Sequence, residues 1–171
     1  MYSSMFVLIK TTSWGHAFMA FGNSNPEIAF NQSGADGSNS AWGDSADFSR
    51  VSWDNAKNYF IVGNDKYYGY IIRNGRVMGA FNYVNRLFEA SPPRGTQDRN
   101  THRNRSYNAL TQNCATLTGE VVRECGIWTA QGTIAPSDIL GAMDAADAIY
   151  GNVSRWGIIE RRNGSLHFSS W

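Results

Sequence analysis

The segment from Asn113 to Gly126 constrains the fold of this chain more than any other stretch. Leu117, Val121 and Cys125 recur at spacing four, with Val122 beside them, which is the period of an amphipathic helix with one buried stripe. Asn113 is a good N-cap, and Gly126 supplies the left-handed stop, so the spacing predicts a helix from Cys114 to Cys125. Cys114 then sits in the first turn. Backbone N–H groups there have no intrahelical partner and the helix dipole is positive, so a thiolate is stabilised and the thiol pKa falls. Cys125 falls in the last turn, on an apolar stripe where the dipole is negative, and reads as core.

The same helix forbids a bond between the two cysteines. Eleven residues of helix hold their Cα atoms roughly 16 Å apart, well beyond the ~7 Å limit for a disulfide. Two unpaired thiols point to a chain that works or folds under reducing conditions. A lone cysteine more often packs as a small hydrophobe, so a nucleophilic reading of Cys114 needs a partner. His16 supplies one. It opens the short, uncharged run Gly15–Phe21, which is bounded by Gly22-Asn23-Ser24-Asn25-Pro26 and reads as a buried strand ended by a turn. His102 lies instead in a polar arginine-rich loop, and His167 alternates with Leu166 and Phe168 on a C-terminal strand.

A histidine at the start of a strand, a second strand with a polar residue, and a later Tyr107-x-x-Leu110-x-x-Asn113-Cys114 segment opening a helix form a pattern. It resembles the circularly permuted papain-like cysteine hydrolases: permuted NlpC-type peptidases, PPPDE-type deubiquitinating peptidases and the lecithin:retinol acyltransferase group. His16 precedes Cys114, which is the permuted order. The resemblance covers roughly residues 5–33 and 106–127. It implies that Cys114 attacks a carbonyl, that His16 takes its proton and later protonates the leaving group, and that a polar residue on the neighbouring strand holds the imidazole's tautomer. Glu27–Gln32 alternates, with Glu27, Ala29 and Asn31 on one face and Ile28, Phe30 and Gln32 on the other. Asn31 is the choice for third member, because a residue near the far end of that strand faces the start of the histidine strand. Gln32 would take the place if the register slipped by one, Asp36 if the following loop folded back, and Glu27 lies toward the turn. The acyltransferase group has a second histidine at about this place and this chain has none. The backbone N–H of Cys114 is the natural first donor to an oxyanion; Gln112, Asn113 and Tyr107 compete for the second.

Composition excludes several other classes. With 171 residues, 42% hydrophobic and only 17% charged, the chain fits one globular domain spanning 1–171. A net charge of +1 gives no global attraction to nucleic acid or membrane. The longest apolar runs, such as Met5–Ile9, are too short to cross a bilayer, and no charged segment precedes an apolar stretch with a cleavage site. The expectation is a chain made in the cytoplasm without a signal peptide. Low charge and abundant Asn, Ser and Gly look like bacterial proteins that act outside the producing cell, which would require a dedicated secretion machine and, for a toxin, an immunity protein. No cofactor is implied, and neither cysteine has a second Cys or His at ligand spacing for a metal.

Elsewhere the chain reads as a strand at Met5–Lys10, a polar Gly/Ser/Asn loop from Ser33 to Ser49 bordering the site or serving as its lid, and two Asn-Gly hairpins. One hairpin joins Lys66–Arg73 to Arg76–Met78 across Asn74-Gly75; the other joins Ile158–Arg162 to Ser165–Phe168 across Asn163-Gly164. Phe81, Val84, Leu87 and Phe88 predict a helix ended by Pro92-Pro93, and Ile139, Leu140, Met143 and Ile149 predict another over Ser137–Tyr150. Arg94, Arg99, Arg103 and Arg105 crowd a loop just before the cysteine segment; such a run is either a solvated surface or an anion-recognition loop for a peptide carboxylate or lipid phosphate. The expected architecture is α+β in permuted papain-like order, with an antiparallel sheet carrying His16 packed against a helix carrying Cys114. The expected activity is a cysteine peptidase or amidase acting through a thioester on bacterial cell-wall peptides. Alternatives are a lipid-ester hydrolase or acyltransferase with the same Cys/His pair, and an inactive binding module.

Overall fold

The computed structural model describes residues 1–12, 15–33, 46–91, 101–104 and 113–171. The runs Ser4–Lys10 (β1) and His16–Gly22 (β2) show no polar alternation because both their faces are covered. Met5, Val7 and Ile9 with Met19 and Phe21 face one core, and Phe6 and Leu8 with Phe18 and Ala20 face the other. Pro26–Ser33 (β3), Ala46–Ser52 (β4), Lys66–Ile72 (β5), Thr101–Asn104 (β6), Val153–Arg162 (β7) and Ser165–Ser169 (β8) complete one sheet in the order β6-β4-β3-β2-β1-β5-β7-β8. Every pairing in it is antiparallel. The architecture is mixed α+β.

Each sheet face is covered by helices whose buried side chains match it. Val77–Ala90 (α2), Cys114–Glu124 (α3) and Pro136–Ile149 (α4) insert Val84, Phe88, Val121, Val122, Ile139 and Met143 into the core beneath Met5, Val7 and Met19. Trp53–Phe60 (α1) covers the opposite face through Ala56, with Trp53 and Phe60 against Phe18. None of the described helices is long and apolar enough to cross a membrane.

The local signals at α3 operate as read. Asn113 Oδ1 accepts the N–H groups of Ala115 (2.8 Å) and Thr116 (3.1 Å), while Thr116 Oγ1 accepts the N–H of Asn113 (2.7 Å), a reciprocal cap. Gly126 takes φ +83° just past the helix end. Both cysteines are free and buried. The helix predicted over Ser137–Tyr150 is α4, entered through Pro136, although Ile149 stays exposed.

Three expectations are corrected. Asn74-Gly75 is no hairpin: neither residue takes a positive φ, and the chain passes from β5 into α2. The Asn74 side chain accepts from Arg76 N–H (2.9 Å) and donates to the Cys125 carbonyl (2.8 Å), a local turn that leads into a helix. By contrast Asn163 and Gly164 take φ 50° and 82°, the twist a two-residue hairpin needs, and join β7 to β8. The loop read from Ser33 to Ser49 gives way at Ala46 to β4, which pairs with β3 from Ile28↔Ser52 to Ser33↔Asp47; the rest of that stretch, with Asp36, lies outside the described residues. Within the arginine-rich loop, residues 101–104 form β6 on the sheet edge, where a polar strand is tolerated because only its inner rim is paired; 94–100 and 105 lie outside the described residues.

Candidate active site

His16 is the first residue of β2, paired across to Lys10, and the turn before it is closed by Gly15 N–H on the Thr12 carbonyl (2.9 Å). Gly15 sits at φ +73°, and a Cβ there would meet the Lys10 carbonyl oxygen at 2.9 Å and the Pro136 ring at 3.0 Å. Only glycine fits, so the entry to β2 is packed tightly against the start of α4. Asn113 adds a second tie on that side: its Nδ2 donates to the Ile134 carbonyl (2.9 Å), anchoring the first turn of α3 to the segment leading into α4.

The β2–β3 ladder stops at Met19↔Phe30, short of the first residues of β2. The gap beyond is bridged by side chains. His16 Nε2 meets Asn31 Oδ1 at 2.5 Å, and because an amide oxygen only accepts, Nε2 carries the proton. Nδ1 is left for Cys114, with which the ring shares a hydrogen bond. The Cys114 sulfur also accepts the backbone N–H groups of Ala17 and Ala115, one from the unpaired edge of β2 and one from the first turn of α3. Phe18 and Tyr67 flank the imidazole with ring centroids at 6.3 and 6.4 Å, and the Tyr67 hydroxyl donates to the Phe60 carbonyl.

The electrostatics are reciprocal. Burial opposes ionisation of the Cys114 thiol, yet the His16 charge and hydrogen bond, with the two backbone donors, outweigh it and hold the thiol below its ordinary value. Burial likewise disfavours the imidazolium. The adjacent Cys114 charge and hydrogen bond, then the Asn31 bond, overcome both that penalty and the repulsion of Lys10, raising His16 above its ordinary value. Each partner thus favours the charged form of the other, which draws the pair toward thiolate and imidazolium. Cys125 is the opposite case: burial and the Glu124 charge, against a smaller opposing effect of Arg76, push its thiol up to about 12.

The structure thus brings Cys114, His16 and Asn31 together from α3, β2 and β3. The alternatives for the third position fall elsewhere. Glu27 is exposed at the turn end of β3, and Gln32 is buried on the opposite face of the strand from Asn31. His167 is exposed on β8, and Gln112 and Tyr107 lie outside the described residues. Sequence reasoning missed the Ala17 N–H, since a backbone group carries no residue signal, and Tyr67, whose place beside His16 follows from β1 lying between β2 and β5. Among the described residues no three His, Cys, Asp or Glu side chains cluster as a metal site would need. An open cleft of about 440 Å³ lined by Trp53, Lys57, Trp156 and Phe168 reaches Asn25 and Pro26 at the turn end of β3; its lining includes none of the three site residues. Compared with family models, with curated proteins and with solved structures, the chain matches none.

Proposed function

We propose that this chain is a cysteine hydrolase of peptidase or amidase type, in a permuted papain-like arrangement, with Cys114 as nucleophile, His16 as general base and then acid, and Asn31 as the group that orients the imidazole. The observation that carries the reading is the coupled site: His16 Nε2 held by Asn31 at 2.5 Å while its other nitrogen serves a thiol whose pKa is lowered. Attack by the thiolate on an amide carbonyl gives a tetrahedral oxyanion, and its collapse expels the amine with the proton carried by His16. The resulting thioester is cleaved by water that His16 deprotonates. An amide nitrogen must be protonated as it leaves, which is what an imidazolium at this position supplies.

The substrate we propose is a peptide crosslink or stem of the bacterial cell wall, on the strength of the resemblance in the His16 and Cys114 segments. Delivery outside the producing cell by a secretion machine belongs to the same proposal. Purified protein should release new amino termini from wall fragments, leave phospholipid vesicles unchanged, and lose the activity in Cys114→Ala. Release of fatty acid from vesicles by the wild type alone, with wall fragments untouched, would replace the amidase by a lipid-ester enzyme with the same pair. Asn31→Ala should lower kcat by about ten- to a hundredfold, less than loss of the base itself, because the ring survives but is no longer held in one tautomer and orientation. A loss as complete as that of His16→Ala would mean that Asn31 does more than orient.

A further inference from the structure

The cleft between α1 and the β7–β8 hairpin is built by a break in the sheet. Trp156 falls between the pairs Gly69↔Gly157 and Tyr70↔Arg155, so it is an extra residue with no partner on β5, a bulge that re-aims its side chain. The indole folds over Gly69, where a Cβ would lie 2.8 Å from its Cε3, and the Phe168 ring covers Gly157, where a Cβ would lie 2.5 Å from Cζ. Two paired glycines thus make room for two rings. Trp156 packs edge-on against Phe6 at 4.9 Å and meets Phe168 at 5.0 Å and Trp53 of α1 at 6.2 Å. Trp53 and Trp156 are half-buried and Phe168 keeps 59% of its surface exposed, so three positioned rings line an open cleft of about 440 Å³ that Asn25 and Lys57 also border. Lys57 is the one Lys or Arg among the described residues of the lining, and Asp54 already pairs with it at 3.2 Å. The cleft is aromatic, open and close to neutral.

We infer that this cleft is a subsite for a neutral saccharide, and that it seats the sugar to which the cleaved wall peptide is joined, the second half of which rests on the hydrolase reading above. A pyranose presents a face of C–H bonds with partial positive charge and an edge of hydroxyls. The face seats on the negative π face of an aromatic ring, and the edge exchanges hydrogen bonds with amide and ammonium groups such as those of Asn25 and Lys57. The volume suits roughly two sugar rings, within the ordinary range of ligand pockets. A phosphate-bearing ligand, whether lipid headgroup or nucleic acid, would need cations around the rings that the lining does not provide. Position argues the same way. From His16 the rings of Phe18, Trp53 and Trp156 follow in steps of 6.3, 6.4 and 6.2 Å along one face of the sheet. That path is under roughly 20 Å, which about six extended residues span, so a short peptide joined to a sugar in the cleft reaches Cys114.

The test titrates the full chain with chitotetraose, a neutral β-1,4-linked N-acetylglucosamine oligomer, by calorimetry and by tryptophan fluorescence. Two variants stand beside the wild type: Phe168→Ala, which removes a mostly exposed ring from the edge strand, and Trp53→Leu, which keeps an apolar side chain on α1 but no stacking face. Circular dichroism checks that both are folded. The wild type should bind, with a change in indole fluorescence, and each variant should bind about tenfold or more weakly. No binding by the wild type would overturn the inference, and so would binding that both variants keep, since the sugar would then sit elsewhere. Phospholipid vesicles and a proline-rich peptide are titrated in parallel; capture of either in place of chitotetraose, lost in the same variants, would overturn it in favour of that ligand. The two readings fail separately. Cleavage of wall fragments without chitotetraose binding strikes the subsite and leaves the hydrolase, whereas binding without cleavage strikes the hydrolase and leaves a saccharide site.

Discussion

On the proposed function, Cys114→Ala and His16→Ala should each bring turnover of a cell-wall peptide to background, a loss of about 10⁴-fold or more, and the double variant should be no worse than either single one. A nucleophile and its base act as a unit, so removing one leaves nothing for the other to do. The fold should persist in both variants. Cys114 is small, and His16 sits at the mouth of a strand whose register is set by pairing from Lys10↔His16 to Ser4↔Gly22. Progress curves on wall fragments, with circular dichroism as the folding control, check the result. If His102→Ala abolished turnover while His16→Ala were silent, the base would have to come from β6 and not from β2.

Cys114 should be alkylated at pH 6 about a thousandfold or more faster than Cys125, since thiolate fraction falls tenfold per unit of pKa above the working pH. The Cys125 thiol is pushed up to about 12 and the Cys114 thiol is held below 9.0, so at least three units separate them. The sign of the pH dependence follows from the two shifts. A lowered thiol pKa keeps the thiolate present as pH falls through the ordinary thiol range, and a raised histidine pKa keeps the imidazolium present as pH rises past 6.5. The alkylation rate should therefore reach its plateau below the ordinary thiol range in the wild type, and that plateau should move up in His16→Ala. Mass spectrometry of peptides after brief exposure to iodoacetamide reads the ratio. Equal labelling, or labelling of Cys125 alone in the folded protein, would remove Cys114 as nucleophile. Cys125 sits with its sulfur 3.6 Å from Met5 Sδ, so Cys125→Ala should spare turnover and cost about 1 kcal/mol of stability.

How much of this was legible varies with how local the signal is. The continuous apolar runs of β1 and β2 needed no context, and neither did the Asn113 cap, the Gly126 stop or the Asn163-Gly164 hairpin. Helix α1 was not legible because its only buried residue is Ala56, which leaves no stripe to detect. Strand β4 was hidden because it emerges from a Gly/Ser/Asn run and owes its place to pairing with β3 on one side and β6 on the other. At Asn74-Gly75 a good local hairpin signal lost to the helical period Val77, Ala80, Val84, Phe88 that follows it, whose burial under the sheet outweighs a turn preference.

By itself the sequence determined that a cysteine heads a helix, that a histidine opens a buried strand, and that Asn31 and Gln32 point to opposite sides of the next one. Each of these depends on caps, periods or alternation within a few residues. Only the tertiary structure decided that the three meet. Residues 16, 31 and 114 converge because α3 lies on the β2–β3 side of the sheet and the ladder between those strands stops at Met19↔Phe30. That stop leaves the Ala17 N–H to the sulfur and lets Asn31 reach the ring. Where a ladder ends is set by competition between strand pairing and helix packing across the whole sheet, and no local pattern encodes the outcome.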